Sequence, residues 1–297
     1  DNILVTEEEI KEAYEEVDDE LIKVIRKAIK NILDFHEKQI QKSWFETRED
    51  GVMLGQKVTP METCGVYVPG GKAVYPSSVL MNIVPAHVAG VKNIIMTTPP
   101  GKDGKVTANT LVAAKEAGAT KVYKVGGAQA IAAMAFGTES IPKVDKIVGP
   151  GNIFVALAKK AVYGNVSIDS IAGPSEILVL ADETANPRYV AADLLSQAEH
   201  DEMASAILVT TSEELAHKVS DEIDGFLNQL SRKEIMEKSL DSFGYILVAS
   251  NMKEAIDTAN AIASEHMEIM TANPFDVMTR IKNAGAIFIG AYSCEPL

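Results

Sequence analysis

The sequence predicts an α/β fold: two similar βαβ domains with parallel sheets, preceded by a helical segment. Three observations predict it. From position 65 onward, short runs rich in β-branched residues alternate with helical patterns about every 25 to 30 residues, as parallel strands joined by helical crossovers do. The pattern halts at Gly173-Pro174 and then restarts. Before position 65, apolar residues recur with a helical period and no strand pattern intervenes. The two repeats read as similar, incomplete Rossmann-like βαβ domains.

Residues 1 to about 45 form the helical segment. Thr6 followed by Glu7, Glu8 and Glu9 is a helix start, because the hydroxyl caps and the acids suit the positive end of the dipole. Leu21, Val24, Ile25, Ala28, Ile29 and Ile32 continue the helical period, and His36 lies beyond them in a charged stretch. In the first α/β repeat, strands are expected at 65–69, 93–97, 121–125 and 145–148. Helices are expected at 77–89, with Ser77 or Ser78 as cap, and at 107–117, 129–136 and 152–162. In the second repeat, strands are expected at 176–181, 204–210, 245–249, 269–271 and 286–290. The helices between them fall at 189–200, 213–227, 252–264 and 275–283, and the charged run 230–238 reads as a helix–loop on the surface.

Composition narrows the function. With 46% hydrophobic and 24% charged residues the chain has an ordinary globular balance. The longest apolar runs fall short of the roughly 18 to 20 residues that cross a bilayer, and no secretory signal opens the chain. Two cysteines, Cys64 and Cys294, make no disulfide framework, so a cytoplasmic setting is expected. A net charge of −14 argues against a nucleic-acid partner. It leaves room for a small anionic cofactor held by helix N-termini, and for a cationic substrate.

Ligands of open α/β sheets bind at strand ends. Three glycine loops lie there in the first repeat: VPGGK (68–72), VGGAQ (125–129) and GPGN (149–152). None is a dinucleotide fingerprint, so they are either tight turns or a nucleotide cradle. Gln129 and Asn152 stand at helix mouths, as caps or as ligand contacts, and Tyr67 either stacks on a ligand ring or fills the core. Ser175 follows Gly173-Pro174 without a nucleophile elbow, which makes it a turn hydroxyl or a hydrogen-bond donor to a ligand rather than a hydrolase nucleophile. In LLSQAEHDEM (194–203), Gln197 and His200 are three apart on one helical face and can point at one object, a divalent metal among the choices. Glu265 and His266, read as a helix end, pair a carboxylate that can activate water with a proton acceptor suited to neutral pH.

The stretches GVYVPGGKAVYPSSVLMNIVPA (65–86), KVGGAQAIAAMAFGTESIPKVDKIVGPGN (124–152), IAGPSEILVLAD (171–182), ADLLSQAEHD (192–201) and SEHMEI (264–269) together resemble the histidinol dehydrogenase family. The match is collinear across about 65–290. The resemblance implies NAD- and zinc-dependent oxidation of L-histidinol to L-histidine through histidinaldehyde, with two NAD⁺ consumed. It makes Tyr67, Gln129 and Asn152 NAD contacts, and Ser175, Gln197, His200 and His266 substrate contacts. It makes Gln197 and His200 zinc ligands, and Glu265 and His266 the acid–base pair. It also implies a division into 1–65 packing with 174–297 as the substrate and metal domain, and 66–173 as the NAD domain. A related NAD-dependent dehydrogenase of amino alcohols or sulfonated alcohols is the alternative.

The family continues past the last strand into a Gly-Asp-Tyr segment with a third zinc ligand. A tail follows that brings a further zinc-ligating histidine and a substrate-binding glutamate to the partner of a homodimer. This chain ends at Cys294-Glu295-Pro296-Leu297, so the expectation is a truncated core with an incomplete zinc site, weak activity alone and weaker dimerisation.

Overall fold

The computed structural model describes residues 3–70 and 76–293. The chain divides into two compact units, residues 1–172 and 173–297.

The first unit opens with two helices rather than one. Helix α1 (Glu7–Glu16) carries the full capping box, Thr6 accepting from the Glu9 N–H and Glu9 from the Thr6 N–H. It stops at Val17, whose backbone is extended, and Asp18 caps α2 (Asp19–His36). A short antiparallel hairpin follows, β1 (Trp44–Thr47) and β2 (Met53–Gln56), for which the sequence reading had no element. All eight of its residues are exposed, so no buried face imposed a period-2 pattern.

The sheet of this unit comprises β3 (Thr63–Tyr67), β4 (Asn93–Thr98), β5 (Lys121–Lys124), β6 (Lys146–Val148) and β7 (Ser167–Ile168). All are parallel, in the order β5-β4-β3-β6-β7. The strands are buried on both faces, which is why they read as continuous apolar runs. The crossovers are α3 (Pro76–Val88), α4 (Ala108–Ala117), α5 (Gly127–Phe136) and α6 (Ile153–Val162). Ser77 and Ser78 lie inside the first turn of α3, which starts on Pro76, and so do not cap it. Gly71 and Lys72 of the first glycine loop, and Cys294 to Leu297, lie outside the described residues.

The N-terminal helices belong to this unit. Ala13, Val17, Ile22 and Ile25 are buried in one cluster with Val79, Leu80, Ile83 and Leu111 of α3 and α4. Tyr14 and Arg26 both bind Glu116 of α4, at 2.7 Å and 2.8 Å. Where 1–65 was expected to pack with 174–297, these helices are counted within the unit 1–172 and bury their stripe on α3 and α4. The apolar stripe read correctly as buried, but its period says nothing about which partner buries it.

The second unit repeats the plan. Strands β8 (Glu176–Ala181), β9 (Ser205–Thr210), β10 (Gly244–Val248), β11 (His266–Met270) and β12 (Ala286–Ile289) form a parallel sheet in the order β10-β9-β8-β11-β12. The helices are α7 (Pro187–Ala198), α8 (Glu213–Leu227), α9 (Lys233–Phe243), α10 (Met252–Ile262) and α11 (Pro274–Met278). Helix α9 is more than surface: Met236 is fully buried, and the buried Ser239 hydroxyl donates to the Ala204 carbonyl at 2.8 Å. Written by rank within each unit, both sheets have the order 3-2-1-4-5. The order therefore reverses between β3 and β6 in one and between β8 and β11 in the other. Among the described residues no helix is long and apolar enough to cross a membrane.

Candidate active site

In the second unit every candidate lies at the amino edge of the sheet. Helix α10 ends at Ala263, whose left-handed backbone (φ 57) turns the chain back. Pairing with Ile177 and Ala286 then begins at His266. The reading of Glu265 and His266 as a helix end is corrected: His266 opens β11 and Glu265 precedes it. The buried Ser264 hydroxyl fixes this turn by donating to the His266 carbonyl at 2.9 Å. Gly285 lies so close that an added Cβ would sit 2.6 Å from the Glu265 carbonyl.

His266 Nδ1 stands 3.2 Å from the Glu176 carbonyl oxygen. A carbonyl only accepts, so Nδ1 carries the proton and Nε2 is the basic nitrogen of the neutral ring. The Glu265 carboxylate is 3.9 Å from Nδ1, beyond hydrogen-bond length. Its side chain is 54% exposed against 18% for His266, so the acid meets water while the base is sheltered. Glu176 also accepts the Glu265 N–H at 3.3 Å. It thus orients both residues, a role visible only once β8 and β11 are neighbours.

Helix α7 ends at Ala198, so only Gln197 of the QxxH pair is helical, which corrects the placement of both in one helix. The His200 N–H donates to the Gln197 carbonyl at 3.1 Å, a tightened final turn that keeps the two residues one turn apart. Gln197 is buried and His200 exposed. Ser175 directly precedes β8 and is half-buried, its carbonyl accepting the Ser205 N–H at 3.0 Å. Topology thus brings Ser175, His200, Glu265 and His266 to one edge of one sheet.

A pair of carboxyl groups carried no local sequence motif. Asp193 on α7 hydrogen-bonds Glu268 on β11, and two carboxyls can do so only by sharing a proton. Burial raises the Asp193 pKa, and the bond from Glu268 opposes that rise. Glu268 is only 2% exposed, on a strand whose other residues past His266 are apolar. A lone glutamate in HMEIM was the available signal.

Whether these residues fit zinc depends on the donor set. Gln197 and His200 supply two donors, whereas a zinc site takes about four ligands. Among the described residues no group of three or more His, Cys, Asp or Glu gathers as a metal centre. The described donors do not close a zinc site.

In the first unit the candidates lie at the opposite, carboxyl edge. Tyr67 is buried in the core cluster of α5 and α6, and its hydroxyl accepts the Gly127 N–H at 3.0 Å. Its ring is core, and only the hydroxyl reaches the loop. Gln129 is exposed in the first turn of α5, whose cap, Gly126, offers no side chain. Those N–H groups suit an anion. Asn152 is exposed and caps α6, its Oδ1 accepting from Phe154 and Val155 at 3.1 Å and 3.2 Å, which leaves its NH₂ to donate. Gly70 and Gly126 both make room for Pro99: a Cβ on either would lie 2.5 Å or 2.6 Å from that ring. Gly149 has φ +114, and a Cβ there would lie 2.0 Å from the Tyr67 carbonyl. These loops therefore run close to the sheet edge, packed on Pro99 and on the Tyr67 carbonyl.

Against known proteins, the histidinol dehydrogenase family model matches residues 1–297. The histidinol dehydrogenase of Bacillus subtilis (strain 168) is 59% identical over 297 residues, 100% of this chain and 70% of that protein. That of Clostridium acetobutylicum is 60% identical over 296 residues, 100% of this chain and 69% of that protein. The crystal structure of histidinol dehydrogenase from Elizabethkingia anophelis superposes with a TM-score of 0.95 at 42% identity, covering 99% of this chain and 68% of that one. A propionaldehyde dehydrogenase from Clostridium phytofermentans, 14% identical with a TM-score of 0.54, shares the fold alone.

Proposed function

Since the chain belongs to the histidinol dehydrogenase family, we propose that it oxidises L-histidinol to L-histidine in histidine biosynthesis, with His266 as base and Glu265 as the activator of water. The single observation that carries the reading is the His266 anchor: Nδ1 on the Glu176 carbonyl makes Nε2 the basic nitrogen, with the Glu265 carboxylate beside the ring. In this reading the first unit holds NAD⁺ through the hydroxyl of Tyr67, Gln129 and Asn152, and the bound cofactor supplies the hydride acceptor. His266 takes the hydroxyl proton as the carbinol carbon gives up its hydride. Glu265 then takes a proton from water as the oxygen attacks the aldehyde carbon. The resulting hydrate gives the second hydride and becomes the carboxylate. Ser175, Gln197 and His200 would hold the substrate, and Gln197 and His200 would be two of the donors to a zinc ion. A homodimer belongs to the same reading. The exposed Trp44, Phe45, Met53 and Leu54 of the β1–β2 hairpin suit burial against a second chain.

NADH formation tests the reading, with histidinol set against other amino alcohols and sulfonated alcohols. Two NADH per histidine formed is the expected stoichiometry. Faster turnover of another alcohol would replace histidinol as the substrate.

A further inference from the structure

Lys159 is a lysine where none is needed for solubility. It sits on the inner face of α6, 3% exposed, among residues otherwise apolar. Its Nζ donates to the Gly149 carbonyl at 3.0 Å and pairs with the Asp169 carboxylate. Asp169 in turn accepts the Gly149 N–H on Oδ2 at 2.8 Å and the Ser170 N–H on Oδ1 at 2.7 Å. Both backbone groups of one residue are thus gripped by the two members of one ion pair.

That residue is at a particular place. Gly149 follows β6, beside β3, where the strand order of the first unit reverses. It begins the GPGN loop that leads into Asn152 and the N-terminus of α6. Its φ of +114 and the absence of room for a Cβ reserve the position for glycine. Burying an ion pair costs desolvation, and an apolar pair of the same size commonly serves stability as well or better. A pair kept here is explained by what it holds.

Its charge matters as well as its grip. Asp169 is 32% exposed at the edge where a phosphate would approach, and alone it would repel an anion. Lys159, itself buried, neutralises it.

We propose that Lys159 and Asp169 are positioning residues for the dinucleotide: they lock the Gly149 loop and cancel the carboxylate charge beneath the cofactor phosphates. The inference rests on the reading that the first unit holds NAD⁺. Neither residue touches the cofactor; both act through Gly149.

The experiment is calorimetric titration of NAD⁺ into the full chain and into Lys159→Met, Lys159→Arg and Asp169→Asn, with hydrogen exchange followed over 146–152. Displacing a positioned loop weakens binding on the order of 10- to 100-fold, and Lys159→Met is expected to show that loss with faster exchange across the loop. Lys159→Arg, which keeps the charge and the donors, is expected to recover most of the affinity, a rescue that a merely space-filling role would not give. Should Lys159→Met fail to fold, Asp169→Asn carries the test: it removes the carboxylate that holds Lys159 on the Gly149 carbonyl and one of the two oxygens that grip the loop, and weaker binding with faster exchange over 146–152 is expected. Wild-type affinity in both Lys159→Met and Asp169→Asn overturns the proposal while leaving the NAD⁺ reading intact. A wild-type chain that binds no NAD⁺ overturns that reading, and the positioning role falls with it even if exchange shows the loop released.

Discussion

The two units place different residues at one topological position. In each, the fourth-ranked strand starts beside the second residue of the first: Lys146 pairs Cys64, and His266 pairs Ile177. The residue before that start is acidic in both, Asp145 and Glu265. In the first unit the acid is spent on structure, Asp145 Oδ2 accepting the N–H groups of Glu62 and Thr63 at 3.1 Å and 2.9 Å. Lys146 donates to the Ile168 carbonyl at 3.0 Å. In the second unit Glu176 takes over the backbone work by accepting the Glu265 N–H, so the Glu265 carboxylate stays exposed beside an imidazole. The carboxyl edges show the reverse. The first unit has glycine loops there. In the second, Asp182 closes the reversal point, accepting from Thr184 and from the Ala272 N–H at 2.8 Å. In the proposed reading the candidate ligand edge is thus the carboxyl end of the first sheet and the amino end of the second, and at the other end of each an acid is engaged by backbone N–H groups.

The sharpest way to break this comparison is at the fourth strand. Loss of a positioned general base costs on the order of 10²- to 10⁴-fold in turnover, so His266→Asn is expected to lower kcat by that much with NAD⁺ affinity unchanged. Lys146→Gln, at the equivalent place, is expected to leave kcat as it was. Steady-state rates decide it, and equal losses in both variants would mean that the first unit's amino edge also takes part.

The next effect is on stability. Gly149→Ala forces a Cβ against the Tyr67 carbonyl in a left-handed backbone. Backbone strain and overpacking together predict a loss of about 3 kcal/mol, read by urea denaturation. Gly225 of α8 is the control, with open space around it and no unusual φ. Gly225→Ala is expected to stabilise by about 0.5 to 1 kcal/mol through helix propensity.

These contrasts mark how far the sequence could be read. Strand and helix alternation was legible because the inner strands of both sheets are buried on both faces and read as apolar runs, and the exposed β10 is an apolar run as well. The restart at Gly173-Pro174 located the unit boundary to within a residue. The hairpin at 44–56 was not legible, because fully exposed strands carry no alternation. The partner of α1 and α2 was not legible either, since an amphipathic stripe shows a buried face and not what covers it. At the site, residue types were legible and their geometry was not. Ala263 adopting a left-handed cap, which no propensity favours, turned the expected helix end at Glu265 and His266 into a strand start. Lys159, Glu176, Asp169 and Asp193 act through backbone groups or partners distant in sequence, so local motifs are silent about them.

A subtler contrast is in pH response. Burial raises the pKa of Asp193 in the second unit, so its folded state favours the protonated carboxyl. The stability this contributes is fully present below the ordinary carboxyl range, about 3.9, and is lost as pH rises through the raised value. Asp193→Asn mimics the protonated form and is expected to flatten that decline, so that the variant loses less stability than the wild type between acid and neutral pH. Glu116 in the first unit runs the other way. Its hydrogen bonds with Arg26 hold its pKa down, so its contribution is present at neutral pH and lost as pH falls below the depressed value. Melting temperatures across the acid range separate the two, and parallel curves for wild type and Asp193→Asn would remove Asp193 from the account.

The smallest effect tests the comparison most directly. Asp145 is exposed, and Asn at that position keeps one oxygen to accept from Glu62 or Thr63 while losing the charge. The loss is therefore expected at about 0.5 to 1 kcal/mol, within the range for solvent-screened charged hydrogen bonds. Turnover should not move. Glu265→Gln makes the same chemical change at the equivalent place in the second unit, where the carboxylate accepts from no backbone N–H described. There the expected result is inverted: stability unchanged within error, and the aldehyde-oxidising half of the reaction slowed with histidinaldehyde accumulating. If Asp145→Asn slowed turnover as Glu265→Gln does, the two acids would share a chemical role, and the division into a structural edge and a reactive edge would be wrong.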